Sequence, residues 1–166
     1  MNAFFWSLFN HCSLVWMFYI RRLDRRINHL HERCLRIVFS DHTSTFEELL
    51  EKDGTIKFHH KNLQLLAIEL FKCKNNMSEL TKEIFIHDEN IKLNRQTPYF
   101  RSREINSVFN GSESLSFLGP KIWELLPSEI KEVVDLSTFK EDIKHWKPTS
   151  CPCRNCRTYV DVVGFL

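Results

Sequence analysis

The chain has 166 residues, of which 43% are hydrophobic and 27% charged, and its formal net charge is +2. This length can bury one sizeable core and is too short for two ordinary domains, so one domain with a tail is predicted. The net charge is too small to indicate nucleic-acid binding, which must depend on local clusters of basic residues. The placement of the six cysteines is not that expected of a disulfide framework. Three lie in apolar helical patterns and three lie together near the end, which favours a reducing, intracellular compartment, nuclear or cytoplasmic.

Residues 3–20 form the most apolar stretch of the sequence, and four arginines follow it: Arg21, Arg22, Arg25 and Arg26. This order is typical of a membrane anchor with positive charge on its cytoplasmic side. The polar residues Ser7, Asn10, His11 and Ser13 interrupt the stretch, however, and its length is at the lower limit for a membrane span. We therefore predict a core helix, with a membrane anchor as the alternative.

The segment from Leu23 to Phe39 predicts the clearest helix of the chain. Its apolar residues recur in steps of three and four and predict a core-facing side: Leu23, Ile27, Leu30, Cys34 and Ile37, with Val38 beside them. A basic stripe shares the neighbouring arc and consists of Arg22, Arg25, Arg26, Arg33 and Arg36, together with His29. A row of guanidinium groups suits the phosphates of RNA or DNA. The alternative is that these long cations only solvate the outer face of a packed helix.

The middle of the chain predicts two more helices. Ser44-Thr45-Phe46-Glu47 has the form of a capping box with Ser44 as N-cap, before a short helix through Leu50, and Asp53-Gly54 then breaks the chain. A longer amphipathic helix is predicted from Ile56 to Lys74, with an apolar face of Leu63, Leu66, Ala67, Leu70 and Phe71. The adjacent His59 and His60 point in different directions, so the pair is not expected to bind a metal without ligands from elsewhere, and both are predicted to be exposed or capping histidines.

Residues 79–85 predict a further short helix, and 87–97 a loop. Two extended segments, Tyr99–Phe109 and Ser114–Phe117, flank Asn110-Gly111. Asn-Gly between such segments is a strong signal for a hairpin, so we predict one small antiparallel hairpin here.

The last helices are marked by proline and by capping residues. Gly119-Pro120 predicts a helix start and Pro127 a helix end, with Trp123 in the core. Ser137 or Thr138 is predicted to cap a final helix that runs to Trp146. Its buried side is predicted to consist of Phe139, Ile143 and Trp146.

A cysteine cluster follows this helix, with the spacing C-x-C-x₂-C at Cys151, Cys153 and Cys156. Three thiolates so close together can share a zinc ion, which takes four ligands. His145 is the nearest candidate for the fourth, and Cys12 or a histidine elsewhere can serve only through the fold. The alternative is a mobile tail with free thiols.

Several of these segments together resemble a known family. The two main motifs are Ser116-Phe117-Leu118-Gly119-Pro120-Lys121-Ile122-Trp123-Glu124-Leu125-Leu126-Pro127 and Leu30-His31-Glu32-Arg33-Cys34-Leu35-Arg36-Ile37-Val38. The other matching pieces are Met1-Asn2-Ala3-Phe4-Phe5, Leu14-Val15-Trp16-Met17-Phe18, Ser137-Thr138-Phe139-Lys140 with Trp146-Lys147-Pro148, and Cys151-Pro152-Cys153-Arg154-Asn155-Cys156 followed by Gly164-Phe165-Leu166. In order and spacing the chain resembles the C-terminal region of non-LTR, LINE-type (jockey-like) retrotransposon polyproteins, which follows the reverse transcriptase domain. Ser13 and Cys34 depart from the pattern, where proline and a small residue are expected.

The resemblance implies a C-terminal fragment of an RNA-directed DNA polymerase that holds template RNA or target DNA, with the polymerase domains upstream. No adjacent pair of aspartates, Gly-rich phosphate loop or H-E-x-x-H motif occurs in the sequence, so we expect no catalysis by this chain. The predicted fold is mainly α, with a helical domain over 1–147, one small hairpin and a Cys-rich tail over 148–166. Two alternatives stay open: a small membrane protein anchored by residues 3–20, and a zinc-binding protein-interaction module.

Overall fold

The computed structural model describes residues 13–18, 21–87, 100–102, 114–148, 151–153 and 156. Within them the helices are α1 (Ser13–Trp16), α2 (Arg21–Phe39), α3 (Phe46–Asp53), α4 (Phe58–Lys74), α5 (Glu79–Lys82), α6 (Leu115–Glu124), α7 (Ser128–Lys131) and α8 (Leu136–His145). Two short strands, β1 (Ile86–His87) and β2 (Phe100–Arg101), lie between α5 and α6. The predicted mainly-α fold is confirmed.

The two strands pair antiparallel, with Ile86 opposite Arg101 and His87 opposite Phe100. The predicted pairing of Tyr99–Phe109 with Ser114–Phe117 is therefore wrong. The amides of Phe117 and Leu118 donate to the Ser114 carbonyl, so the chain there is already entering α6. Asn110-Gly111 lies outside the described residues.

The chain forms two compact units, residues 1–62 and 63–166, and the division falls within the continuous helix α4. In the first unit, Leu35 of α2 packs with Leu49 and Leu50 of α3, and Phe46 lies against this cluster. His31, one turn before Leu35, is completely buried, with its ring 5.6 Å from that of Phe46 and 4.8 Å from that of Phe58.

The predicted core side of α2 is wrong in large part. Leu30 is 50% exposed and Ile37 is 75% exposed, and Leu23 and Val38 are exposed as well. The buried side is instead the one that carries His31 and Leu35, because this is the side on which Phe46, Leu49 and Phe58 pack.

Helix α3 begins with a capping box, one residue later than predicted. The Thr45 hydroxyl accepts from the Glu48 amide at 3.3 Å, and the Glu48 carboxylate accepts from the Thr45 amide at 2.7 Å. Ser44, the predicted N-cap, donates to Asp41 at 2.7 Å instead. Gly54 ends the helix with φ +65°, which confirms the predicted break at Asp53-Gly54, but the helix runs to Asp53 and not only to Leu50.

Aromatic rings form the centre of the second unit. The Phe71 and Phe139 rings stack at 4.2 Å between centroids, and Trp123 lies 6.3 Å from Phe139. Phe100 makes edge contacts with Trp123 at 5.5 Å and with Phe85 at 6.0 Å. The predicted buried faces of α4 and α8 are confirmed: Leu63, Leu66, Ala67, Leu70, Phe71, Phe139, Ile143 and Trp146.

Two predicted helix starts in the second unit are wrong. Helix α6 begins at Leu115, so Gly119 and Pro120 lie inside it. Gly119 is needed there because a Cβ atom would lie 3.2 Å from two ring atoms of Phe85 and closer still to a third. Helix α8 is capped by Asp135, whose carboxylate accepts from the Thr138 amide at 2.9 Å. Ser137 and Thr138, the predicted caps, already lie within the first turn of the helix.

Candidate metal centre

Helix α4 carries two adjacent histidines in its first turn. His59 is 6% exposed and His60 is half-buried, and their ring centroids lie 6.3 Å apart. Since neighbouring residues on a helix are about 100° apart around its axis, only one of the two rings faces any given partner.

The same helix holds the end of α8. The side-chain amide of Gln64 donates to the carbonyl oxygens of Lys144 and Trp146, each at 3.0 Å. Both acceptors are groups that the end of a helix leaves without an intrahelical donor. Gln64 thus ties the point at which the C-terminal segment begins to α4.

The cysteine segment contains a tight turn, in which the Cys156 amide donates to the Cys153 carbonyl at 3.1 Å. Cys153 is completely buried, whereas Cys151 and Cys156 are half-buried. Pro152 separates the first two cysteines and limits the backbone freedom of this short segment.

His59 and the three cysteines converge. One ligand atom from each of His59, Cys151, Cys153 and Cys156 lies within 4.8 Å of all the others. Tetrahedral coordination with Zn–S bonds of about 2.3 Å requires sulfur atoms about 3.8 Å apart, so a small contraction brings the four atoms to metal-binding distance. The cluster can hold a metal ion.

The electrostatics of the cluster favour a cation. Hydrogen bonds with the neighbouring Cys151 and Cys153 thiols, together with burial, raise the pKa of the Cys156 thiol far above its ordinary value. The physical cause is that these hydrogen bonds favour the protonated thiol, while a thiolate at this position loses hydration and is repelled by any neighbouring thiolate. A divalent cation among them removes that repulsion and binds the thiolate forms.

The three cysteines that the sequence suggested are brought together, but the histidine is a different one. His145 is exposed in the last turn of α8 and is not part of the cluster, where His59 takes the fourth position. No spacing rule in the sequence links position 59 to positions 151–156. The sequence predicted exposed or capping histidines at positions 59 and 60, and for His59 the burial of the side chain shows that an exposed position is wrong.

The basic stripe of α2 is largely exposed. Arg22, Arg25, Arg26 and Arg33 are all exposed. Arg36 is half-buried and forms an ion pair with Glu32 at 2.6 Å, and it donates to the Asp41 carbonyl at 3.4 Å. Its positive charge is therefore partly neutralised, and four guanidinium groups of the predicted five face solvent.

Within the described ranges, none of the helices is both long enough and apolar enough to cross a membrane. Most of residues 3–20, the segment considered as an anchor, lies outside those ranges.

Comparisons with protein-family models, with curated proteins and with solved structures found no match to this chain.

Proposed function

We propose that this chain is a zinc-stabilised, non-catalytic module, with zinc bound by His59, Cys151, Cys153 and Cys156. The observation that carries the proposal is the convergence of these four ligand atoms within 4.8 Å. Thiolate and imidazole ligands favour zinc over the hard cations magnesium and calcium, which prefer oxygen. Four protein ligands complete a tetrahedron and leave no position for a reactive water, which is the arrangement of a structural site.

Zinc content tests this proposal directly. The purified chain should contain about one zinc ion, and both Cys153→Ser and His59→Asn should lose it, because a structural site depends on every ligand. His145→Asn is the matched control and should keep the zinc. A chain without zinc whose unfolding is unaffected by a chelator would refute the site. Loss in His145→Asn with retention in His59→Asn would assign the fourth ligand to His145.

We propose further that the basic stripe binds the backbone of RNA or DNA. The supporting observation is the exposure of four arginines along one arc of α2. This role agrees with the resemblance to the C-terminal region of LINE-type reverse transcriptases, in which the polymerase site belongs to upstream domains. Contacts made by arginine to phosphates are insensitive to base sequence, so we expect binding with little sequence preference.

Salt dependence tests the stripe. Each phosphate contact contributes a slope of about −0.7 to −0.9 to the plot of log affinity against log salt concentration. Changing Arg26 and Arg33 together to Gln should reduce the slope by roughly two contacts' worth. The control is the change of Lys140 and Lys147 to Gln, which removes the same charge from exposed positions elsewhere. Equal slopes for both double variants would refute the stripe as the binding surface.

A further inference from the structure

We infer that Cys153 and Cys156 are a peroxide-sensitive pair, which closes to a disulfide and thereby releases the metal ion. This inference depends on the proposed zinc site and adds a modification site to it. The observations that carry it are the turn between the two residues, the distance between their sulfur atoms and their unequal exposure.

The turn selects the pair. The hydrogen bond from the Cys156 amide to the Cys153 carbonyl, at 3.1 Å, closes a turn of four residues. The first and last Cα atoms of such a turn lie within about 7 Å, which matches the range that a disulfide spans. Their Sγ atoms already lie within 4.8 Å of each other, so a bond between them requires side-chain movement rather than a rearranged backbone.

Cys151 is a poorer partner for either residue. Only Pro152 lies between Cys151 and Cys153, and a disulfide across a single residue closes a small ring that departs from relaxed geometry. Cys151 lies outside the turn that brings Cys153 and Cys156 together.

The exposures assign a role to each sulfur. Cys156 is half-buried and accessible to a small oxidant, whereas Cys153 is completely buried. Zinc holds both residues as thiolates, the reactive form of cysteine. A peroxide therefore reaches Cys156 first, and Cys153 is the resolving thiolate from the protein side.

The reaction balances with hydrogen peroxide as the oxidant. The Cys156 sulfur attacks one peroxide oxygen, the O–O bond breaks, and the leaving hydroxide takes a proton to become water. The Cys153 thiolate then attacks the sulfur of the resulting sulfenic acid, the S–O bond breaks, and a second water leaves after protonation. Two thiolates, one peroxide and two protons thus become one disulfide and two waters. Zinc keeps its oxidation state and is left with two ligands.

The test uses the zinc-loaded full chain with one equivalent of hydrogen peroxide. Zinc release is followed with a chromogenic chelator, and free thiols are then alkylated before digestion with trypsin. Cleavage after Arg154 separates Cys153 from Cys156 in sequence, so a disulfide between them keeps two peptides joined and lowers their summed mass by two units. Cys34, half-buried in α2, reports the reactivity of a thiol outside the cluster.

We expect one zinc ion released per disulfide formed, with Cys34 unmodified and zinc binding restored by a thiol reductant. The disulfide should also form in Cys151→Ser, and it cannot form in Cys153→Ser. Zinc retention, a disulfide that includes Cys151, or over-oxidation of Cys156 without a disulfide would each overturn the inference. If the purified chain contains no zinc, the proposed site itself fails, and mapping the disulfide in the metal-free chain still decides whether Cys153 and Cys156 pair.

Discussion

The two compact units bury their interiors with different chemistry. The second unit is centred on a chain of aromatic contacts that runs from Phe71 through Phe139 and Trp123 to Phe100. The first unit has a small aliphatic cluster and a buried imidazole, His31, between two phenylalanine rings. The spacing of apolar residues therefore predicts the buried face of a helix where large apolar side chains form that face. It fails for α2, where the ring of a polar residue, His31, lies at the centre of the buried face.

The first unit also depends on polar groups before α3. Asp41 accepts hydrogen bonds from Thr43, Ser44 and Lys52. The Lys52 ammonium and these donors hold the pKa of the Asp41 carboxyl far below its ordinary value. Hydrogen bonds between residues close in sequence thus organise the turn between α2 and α3. The second unit depends instead on ring contacts between residues that are distant in sequence.

The largest difference between the two units is expected in the free energy of unfolding, when a side chain of each unit's predicted core is truncated. Phe139→Ala should lower the free energy of unfolding by about 3–5 kcal/mol, because Phe139 is completely buried between Phe71 and Trp123. Leu30→Ala should change it by less than about 0.5 kcal/mol, because Leu30 is half exposed. Denaturant unfolding measures both. A large loss in Leu30→Ala would restore the apolar side of α2 to the core.

The next prediction compares one glycine from each unit, Gly119 and Gly54. Gly119→Ala should cost about 1–3 kcal/mol, because its Cβ would collide with the Phe85 ring. Gly54→Ala should cost about 1 kcal/mol through its left-handed backbone alone, since there is open space around that position. Combining Gly119→Ala with Phe85→Leu should cost less than the sum of the two changes. Strict additivity would show that the ring is not the obstacle.

Acid should affect the first unit through His31. Burial lowers the pKa of His31 below its ordinary value of 6.5, although the nearby Asp53 charge opposes the shift. The unfolded chain therefore takes up the proton first, so the free energy of unfolding falls as pH decreases below 6.5 and is unaffected by this group above it. His31→Leu should remove that part of the pH dependence, whereas His42→Gln, at an exposed position, should preserve it. Denaturation midpoints between pH 5 and 8 would decide, and an unchanged dependence in His31→Leu would contradict the assignment.

The smallest effect concerns the cap of α3. Thr45→Ala should cost about 1 kcal/mol, because it removes the acceptor for the Glu48 amide. Thr45→Ser keeps that hydroxyl and should cost less. A neutral Thr45→Ala beside a destabilising Ser44→Ala would support the capping register that the sequence predicted.

Prediction from sequence succeeded where the cause is local or repetitive. The chain breaks at Gly54 and α4 ends at Lys74, both as predicted, and the buried face of α4 follows its apolar repeat. The capping residues were misplaced by one to three positions, because several neighbouring Ser, Thr and Asp side chains can each serve as N-cap.

What failed depends on partners distant in sequence. The partner of Phe100–Arg101 lies upstream at Ile86–His87 and not across Asn110-Gly111. The Asn-Gly pair favours a turn, but it does not determine which strand Phe100–Arg101 pairs with. The fourth member of the cysteine cluster is a histidine more than ninety positions earlier, which only the fold brings close. The inner face of α2 was missed because His31 does not count as apolar in a periodicity argument.

The hydrogen bonds of Gln64 carry a consequence for the order of folding. They connect α4 to carbonyl groups 80 and 82 positions later in the chain, and closing so long a loop has a substantial entropic cost that must be met before the bonds contribute. Contacts of this range slow folding relative to local helix formation. During synthesis α4 is therefore complete long before its partners leave the ribosome, and the cysteine segment can adopt its place only after those partners have been made.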